Sequence, residues 1–430
     1  MRSYTDTLDW LYAALPMFTR IGAAAIKKDL TNTLELCKLA GNPETSFKSI
    51  HIAGTNGKGS VSHMLAAILQ CEGYKTGLYT SPHLKDFRER IRINGQMISE
   101  ANVVDFVNRY KLDFERVKPS FFEMTVMMAF EYFAKNQVDI AIIETGLGGR
   151  LDSTNVITPE LSIITNIGWD HKDMLGDTLQ KIAGEKAGII KKNVPVLIGE
   201  NSPETDSVFI ETARLKDTPI YFAADLIAVE SFVSLQSKAE IEVRVKSETA
   251  AKSYTSQLAG NYQRQNIRTV LAAVELVNQK GKYPISEEAL IQGLANTTAL
   301  TGLMGRWQVL KAKPLVVADV AHNVDGIQRV MEQVNELNPI RLHIVIGMVK
   351  DKDIEAVLRL LPVEAVYYFC NASIPRALPA ETLLKKAAKL NRIGNAYSSP
   401  INALTSAEQQ VKRGEMVLVC GSIFTVAEVL

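Results

Sequence analysis

Residues 49–60 read Ser49-Ile50-His51-Ile52-Ala53-Gly54-Thr55-Asn56-Gly57-Lys58-Gly59-Ser60. The first five form a short apolar run that ends at a turn, the pattern of a buried strand. Gly54, Gly57 and Gly59 follow, and residues 61–71 are then apolar at helical spacing. Strand, glycine-rich turn and helix in that order make a phosphate cradle. Glycines let the backbone turn and aim its N–H groups at phosphate oxygens, and the helix N-terminus adds partial positive charge. Lys58 can reach the outer phosphates, and Ser60 can bind a phosphate oxygen or a metal. The loop is shorter than the standard phosphate loop, and Gly59 separates Lys58 from Ser60. Taken alone, the stretch could also be an ordinary glycine-rich turn.

Working outward, strand and helix patterns alternate. Residues 75–79, 138–144, 161–166 and 194–198 read as strands, and residues 102–110, 122–135 and 179–188 as helices. Such alternation predicts a mostly parallel sheet with helices on both faces. Upstream, residues 4–15 and 26–40 carry amphipathic helical spacing, closed by Pro16 and by Gly41-Asn42-Pro43. Between residues 221 and 256 the texture changes. Alternating segments such as 239–245 suggest antiparallel strands at a sheet edge, and residues 263–279 return to helix. Thr301-Gly302-Leu303-Met304-Gly305-Arg306 reads as a domain junction, followed by strands at 315–319, 342–346, 365–369 and 416–420. The expected class is α/β. A P-loop-type, mostly parallel ATPase domain covers residues 1–298, with the edge β segment inside it, and a smaller Rossmann-like α/β domain covers residues 299–430.

Composition narrows the function. The chain has 430 residues, enough for two or three domains, with 48 Lys plus Arg against 47 Asp plus Glu. That balance gives no reason to expect nucleic-acid or membrane partners, so any anionic ligand must be held by local positive groups. Cys37, Cys71, Cys370 and Cys420 are far apart and form no C-x-x-C pair, which indicates structural thiols and a reducing compartment. Residues 1–10 include Arg2, Asp6 and Asp9 and lack the apolar core of a secretory signal. No apolar run approaches the roughly 20 residues that span a bilayer. A soluble cytoplasmic protein is expected.

Polar groups recur where strands end. Glu144 closes an apolar strand ahead of Thr145-Gly146-Leu147-Gly148-Gly149-Arg150-Leu151-Asp152, at the position where open α/β sheets bind ligands. A carboxylate there suits magnesium, or could be a surface-loop acid. Asn166-Ile167-Gly168-Trp169-Asp170-His171 and Thr80-Ser81-Pro82-His83 follow two further strands. His171 could be a metal ligand, a base or a structural histidine. Lys186 lies on an apolar helix face with Ile182, Ala183 and Ile189, where a lysine must be neutralised, paired or snorkelling. In the second series Asp319-Val320-Ala321-His322-Asn323 closes a strand, and Arg306 suits a bidentate anion contact.

Together these residues resemble the Mur-ligase superfamily and, within it, the folylpolyglutamate synthase/dihydrofolate synthase family. The resemblance rests on residues 54–60, 80–84 and 144–155, on Asp170, His171 and Lys186, and on residues 319–323. It extends over essentially the whole chain, supported by residues 8–12 with Gly22, 121–123, 347–353 and 421–428. It implies an ATP-dependent ligase that adds L-glutamate to dihydropteroate and to reduced folates through an acyl phosphate. Thr55, Asn56, Gly57, Lys58, Gly59 and Ser60 would hold ATP, completed by Asn266, Arg306 and Asp319. Ser81, Glu144 and His171 would bind Mg2+. Lys58, Lys186 and His171 would serve catalysis, with Lys186 aligned to a lysine that the family carbamylates. Arg20, Ile21, Gly22, Ala23, Ser120, Phe121, Phe122, Glu123, Leu151, Asp152 and Ser153 match segments that contact pterin or folate. His322 would lie on the glutamate or nucleotide side of the C-terminal domain. The chain departs from the family at Met304, where proline usually precedes Gly-Arg, and at Val324, where proline usually follows His-Asn; neither change removes a chemical group.

Three other readings compete: a monofunctional folylpolyglutamate synthase, a Mur-type ligase for another acid, and a nucleotide switch that needs no glutamate. The pterin-matching segments argue against the second. The number of metal and second-domain motifs argues against the third. Small-molecule substrates and a monomer are expected.

Overall fold

The run Lys48–Ala53 forms strand β1, buried at every position after Lys48. A computed structural model describes residues 3–15 and 29–430. After β1 come β2 (Thr76–Tyr79), β3 (Ile91–Ile93), β4 (Gln96–Met97), β5 (Ile140–Glu144), β6 (Leu161–Ile164), β7 (Val196–Ile198) and β8 (Ile220–Phe222). They build one sheet in the order β4-β3-β2-β5-β1-β6-β7-β8. The pairs from β2 to β8 are parallel, while β3 pairs antiparallel with β2 and with β4. Strands β2, β5 and β6 are buried at every position. Only a sheet covered on both faces buries strands in this way. From β1 the chain crosses to β2 on one side and later to β6 on the other, so the sheet's switch point lies at β1. The loops after β2, β5, β1 and β6 therefore leave neighbouring parallel strands along one sheet edge, where such folds bind ligands.

Residues 221–256 correct the edge expectation. β8 extends the large sheet as a parallel strand. Strands β9 (Ile227–Ser234), β10 (Ala239–Val245) and β11 (Lys252–Ser256) form a separate sheet in the order β11-β10-β9. The tight connection from β9 to β10 is closed by the Leu235 N–H donating to the Lys238 carbonyl at 2.8 Å. So short a link allows only an antiparallel pair. A third sheet is built from β12 (Gln308–Ala312), β13 (Leu315–Ala318), β14 (Leu342–Ile346), β15 (Val366–Phe369), β16 (Gly394–Ala396) and β17 (Met416–Cys420). Its order is β12-β13-β17-β14-β15-β16, parallel except where β12 meets β13.

The chain divides into two compact units. The first comprises Met1–Ser231, Ile241–Thr255 and Gln265–Gly302, and the second Phe232–Glu240, Ser256–Arg264 and Leu303–Leu430. Helix Phe121–Lys135 anchors the core of the first through Met124, Met127, Phe130 and Phe133, all fully buried. The core of the second gathers Ile344, Ile346, Phe369 and Leu418 around its sheet. Cys37, Cys370 and Cys420 are buried free thiols, and Cys71 is exposed. Among the described residues no helix is long and apolar enough to cross a membrane.

Candidate active site

The phosphate-type loop is locked in place from the neighbouring strand end. Thr55 donates its backbone N–H to the Asn166 carbonyl at 2.9 Å. Asn56 donates to the Asn166 side-chain oxygen at 2.8 Å. The Thr165 hydroxyl donates to the Asn56 carbonyl at 2.6 Å. Gly57 caps helix Lys58–Cys71 with φ 85°, in the left-handed region that favours glycine. A Cβ there would stand 2.3 Å from Asn266 Oδ1, so Asn266 lies directly over the turn. Of the three residues expected to complete the nucleotide site, Asn266 is thus brought to the loop. Gly59 and Ser60 are buried in the first helical turn, and Lys58 is half-buried. The Lys58 ammonium donates to the carbonyls of Gly54 at 3.0 Å and Thr55 at 3.3 Å.

Lys186, on helix Leu179–Ala187, is 4% exposed and donates its ammonium to the same Gly54 carbonyl at 2.9 Å. Two lysine ammonium groups therefore converge on one loop oxygen. Burial, and next the charge of Lys58, bring the Lys186 pKa down from 10.5 to about 7; Asp170 and Asp152 pull the other way. A large share of the side chain is then a neutral amine at physiological pH.

Loop 145–152 is welded to the end of the helix that carries Lys186. Arg150 donates its N–H to the Glu185 carbonyl at 2.7 Å, and its guanidinium meets the Glu185 carboxylate at 2.8 Å. At Gly149 a Cβ would stand 2.9 Å from the carbonyls of Glu185 and Lys186. At Gly146 it would strike the Phe122 ring at 2.5 Å, so the absent side chain lets that half-buried ring sit over the loop. Asp152 accepts the N–H groups of Gly146 and Leu147, both at 2.8 Å, on one oxygen. On the other it accepts the Thr154 N–H at 3.0 Å and hydroxyl at 2.5 Å. Burial raises its pKa against the pull of those donors. Leu151 is half-buried and Ser153 buried beside it.

Glu144 is 5% exposed and accepts the Ser81 N–H at 3.2 Å. His171 takes up a left-handed φ of 52°, its Nε2 lying 3.7 Å from Asp170 Oδ2. A carboxylate, a hydroxyl and an imidazole are mostly hard donors that suit a hexacoordinate dication which keeps waters and phosphate oxygens as further ligands. Ser81 and Glu144 are joined through the Ser81 N–H, and a buried carboxylate beside a hydroxyl-bearing residue has the chemistry such an ion takes. Among the described residues no group of three His, Cys, Asp or Glu side chains forms a metal cage.

The remaining expected residues fall in three places. Ser120 and Glu123 form the capping box of helix Phe121–Lys135. Phe121 packs in the core, with Tyr12 and Phe87 each 5.7 Å away between ring centroids. Arg20, Ile21, Gly22 and Ala23 lie outside the described residues. Arg306, Asp319 and His322 belong to the second unit. There Asp319 is 3% exposed and accepts the Tyr262 hydroxyl at 2.6 Å, the Trp307 N–H at 2.8 Å and the Ala321 N–H at 2.9 Å. It fixes the turn that carries Arg306. His322 Nδ1 lies 3.0 Å from the Val320 carbonyl. Thr165 and Asn166 organise the phosphate loop and Tyr262 holds Asp319, yet sequence reasoning gave none of them a role. Polar residues just past a buried strand were the available signal for the first two.

Known proteins resemble this chain along most of its length. Residues 52–274 match the Mur ligase middle domain, and residues 305–423 match the Mur ligase glutamate ligase domain. The chain is 32% identical to the dihydrofolate synthase/folylpolyglutamate synthase of Bacillus subtilis, over 99% of this chain and 98% of that one. It is similar to the structure of Escherichia coli FolC in complex with DHPP and ADP, with a TM-score of 0.87 and 29% identity, over 100% of this chain and 97% of that one. It is also similar to the bifunctional folylpolyglutamate synthase/dihydrofolate synthase of Yersinia pestis complexed with AMPPNP and a Mn ion. There the TM-score is 0.83 and the identity 28%, over 100% and 97% of the two chains. The chain belongs to the Mur ligase family and, within it, to the folylpolyglutamate synthase/dihydrofolate synthase group of ATP-dependent amide-bond-forming ligases.

Proposed function

We propose that this protein adds L-glutamate to dihydropteroate and further glutamate to reduced folates, using ATP and a divalent cation, through an acyl phosphate. The observation that carries the reading is the meeting of Lys58 and Lys186 on the Gly54 carbonyl of the phosphate loop. Two lysine side chains converging on one glycine-rich loop suit a polyphosphate ligand. The B. subtilis relative carries both activities in its name, which supports the bifunctional form.

A carboxylate is a poor acyl donor because oxide would have to leave. Attack of its oxygen on the γ-phosphorus of ATP forms a carbon–oxygen–phosphorus link and breaks the bond to ADP. The glutamate amine then attacks the acyl carbon, and phosphate departs with its bonding pair as the amide forms. Loop N–H groups and Lys58 hold the phosphates in line and offset the charge that spreads over the transferring group. Ser81, Glu144 and His171 would hold the cation, which supplies further charge neutralisation when bound. Lys186 in its neutral form can take up carbon dioxide as a carbamate, turning a disfavoured buried cation into an anion directed at that cation. Ser120, Phe121, Phe122, Glu123, Leu151, Asp152 and Ser153 are assigned to the pterin or folate. Asn266, Arg306 and Asp319 are assigned to the nucleotide, and His322 to glutamate or nucleotide. On this reading residues 1–298 serve ATP and residues 299–430 serve glutamate. The protein works as a cytoplasmic monomer without nucleic acid.

The test is glutamate-dependent phosphate release from ATP, run with dihydropteroate and with tetrahydrofolate. Activity with both is expected. Activity with one alone narrows the enzyme to a single reaction. Release that ignores glutamate with either acid overturns the substrate assignment.

A further inference from the structure

His51 sits in the middle of β1, fully buried, with no part in the chemistry above. Its Nε2 lies 2.8 Å from the Thr154 hydroxyl oxygen, and that hydroxyl donates to Asp152 Oδ1 at 2.5 Å. A hydroxyl has one proton. Since Thr154 gives its proton to the carboxylate, it must accept from the imidazole, so His51 carries its proton on Nε2. Nδ1 is buried without a hydrogen-bond partner, as a lone-pair nitrogen in an apolar strand would be. Burial and the charge of Lys191 bring the His51 pKa to about 3, so the ring is neutral under working conditions. The chain of donors runs one way, from imidazole to hydroxyl to carboxylate. Beyond it, Asp152 accepts the Gly146 and Leu147 N–H groups and so shapes the loop between Glu144 and Ser153.

We propose that His51 is a positioning residue for the acid substrate: through Thr154 it fixes the Asp152 carboxylate, which holds residues 146–153 in their substrate-ready form. Asp152 meets four donors from its own chain, about the number of lone-pair sites a carboxylate offers. Removing the Thr154 hydroxyl frees one site and leaves the imidazole N–H without an acceptor. The carboxylate can then rotate away from the loop amides. The proposal rests on the assignment of residues 151–153 to the pterin or folate. One of its readouts therefore needs no substrate.

The experiment compares Thr154→Val, Thr154→Ser, His51→Leu and His51→Gln with the unaltered protein. Thr154→Val and His51→Leu are expected to raise KM for the acid substrate about tenfold or more, and to leave KM for ATP within about twofold. Thr154→Ser keeps the hydroxyl, and His51→Gln places an amide N–H near Nε2; both should restore most of the loss. Independently of substrate, the Gly146 and Leu147 amides should exchange about tenfold faster in Thr154→Val, while those of Ile140–Glu144 do not change. Folded Thr154→Val protein with unaltered exchange and unaltered KM overturns the proposal. If Thr154→Val does not fold, equal impairment of His51→Gln and His51→Leu overturns it instead. Absence of ligation by the unaltered protein would strike the function assignment, and the exchange result would still decide the relay.

Discussion

Replacing Lys186 with methionine keeps most of the side-chain length and removes the charge that burial opposes. In the unfolded chain this lysine is protonated throughout the neutral range. In the folded protein its pKa is lowered from 10.5 to about 7. A depressed lysine pKa means the unfolded chain holds more protons, so stability rises with pH from about the folded value towards 10.5. Between pH 6 and pH 8 the folded lysine passes from mostly charged to mostly neutral, and the unfolded one does not change. Integrating that difference gives stability on the order of 1 kcal/mol gained by the natural protein and not by Lys186→Met. The Gly54 carbonyl loses a donor in the variant, an offset that does not depend on pH. Groups such as His51 titrate alike in both proteins and cancel in the comparison. Urea unfolding at pH 6, 7 and 8 in buffer freed of carbon dioxide measures the gap. The gap between natural protein and variant is expected to widen from pH 6 to pH 8 by on the order of 1 kcal/mol; parallel pH profiles would refute this. With bicarbonate present, intact-mass measurement of the natural protein should show about 44 Da of added carbamate, absent from the variant.

Lys58→Ala should keep its melting temperature within a few degrees and lose about a hundredfold or more in kcat, read by phosphate release; an active variant would break the phosphate-loop assignment. Gly57→Ala forces a side chain into φ 85° and against Asn266. It should cost about 1–2 kcal/mol in urea unfolding and raise KM for ATP. Asp319→Asn leaves the buried donors of Tyr262, Trp307 and Ala321 short of one acceptor. A stability loss of about 1–3 kcal/mol is expected by calorimetry.

What the sequence made legible were the features with a local signature. The strands at 342–346 and 416–420 coincide with β14 and β17, because each is a short run buried at every position and apolar throughout except for His343. The polar ends of β1, β2, β5 and β6 were readable for the same reason: a charged or hydroxyl residue just past such a run has nowhere apolar to go. Short strands were lost. β3 and β4 have three and two residues, too few for a period to register. Yet Asn94-Gly95 between them, with φ 46° and 74°, is the turn pair that favours a two-residue hairpin. The separate sheet at β9–β11 alternates as an edge would, and alternation does not say which sheet a strand joins. Contacts across long stretches of chain were invisible as well. Thr165 on Asn56, Tyr262 on Asp319 and His51 on Thr154 depend on how distant segments are brought together, and Asn266 was placed with Gly57 by the family resemblance alone. The structure also shows that Ser120 and Glu123 cap a helix, a duty that any contact with substrate must share.

The central claim is that an acyl phosphate links ATP cleavage to amide formation. Dihydropteroate labelled with heavy oxygen in its carboxylate tests it directly, by mass analysis of the products after reaction with ATP and glutamate. An acyl phosphate requires one labelled oxygen to leave with inorganic phosphate and the other to stay in the amide. Label retained wholly in the folate product, or carried into AMP, would contradict the account.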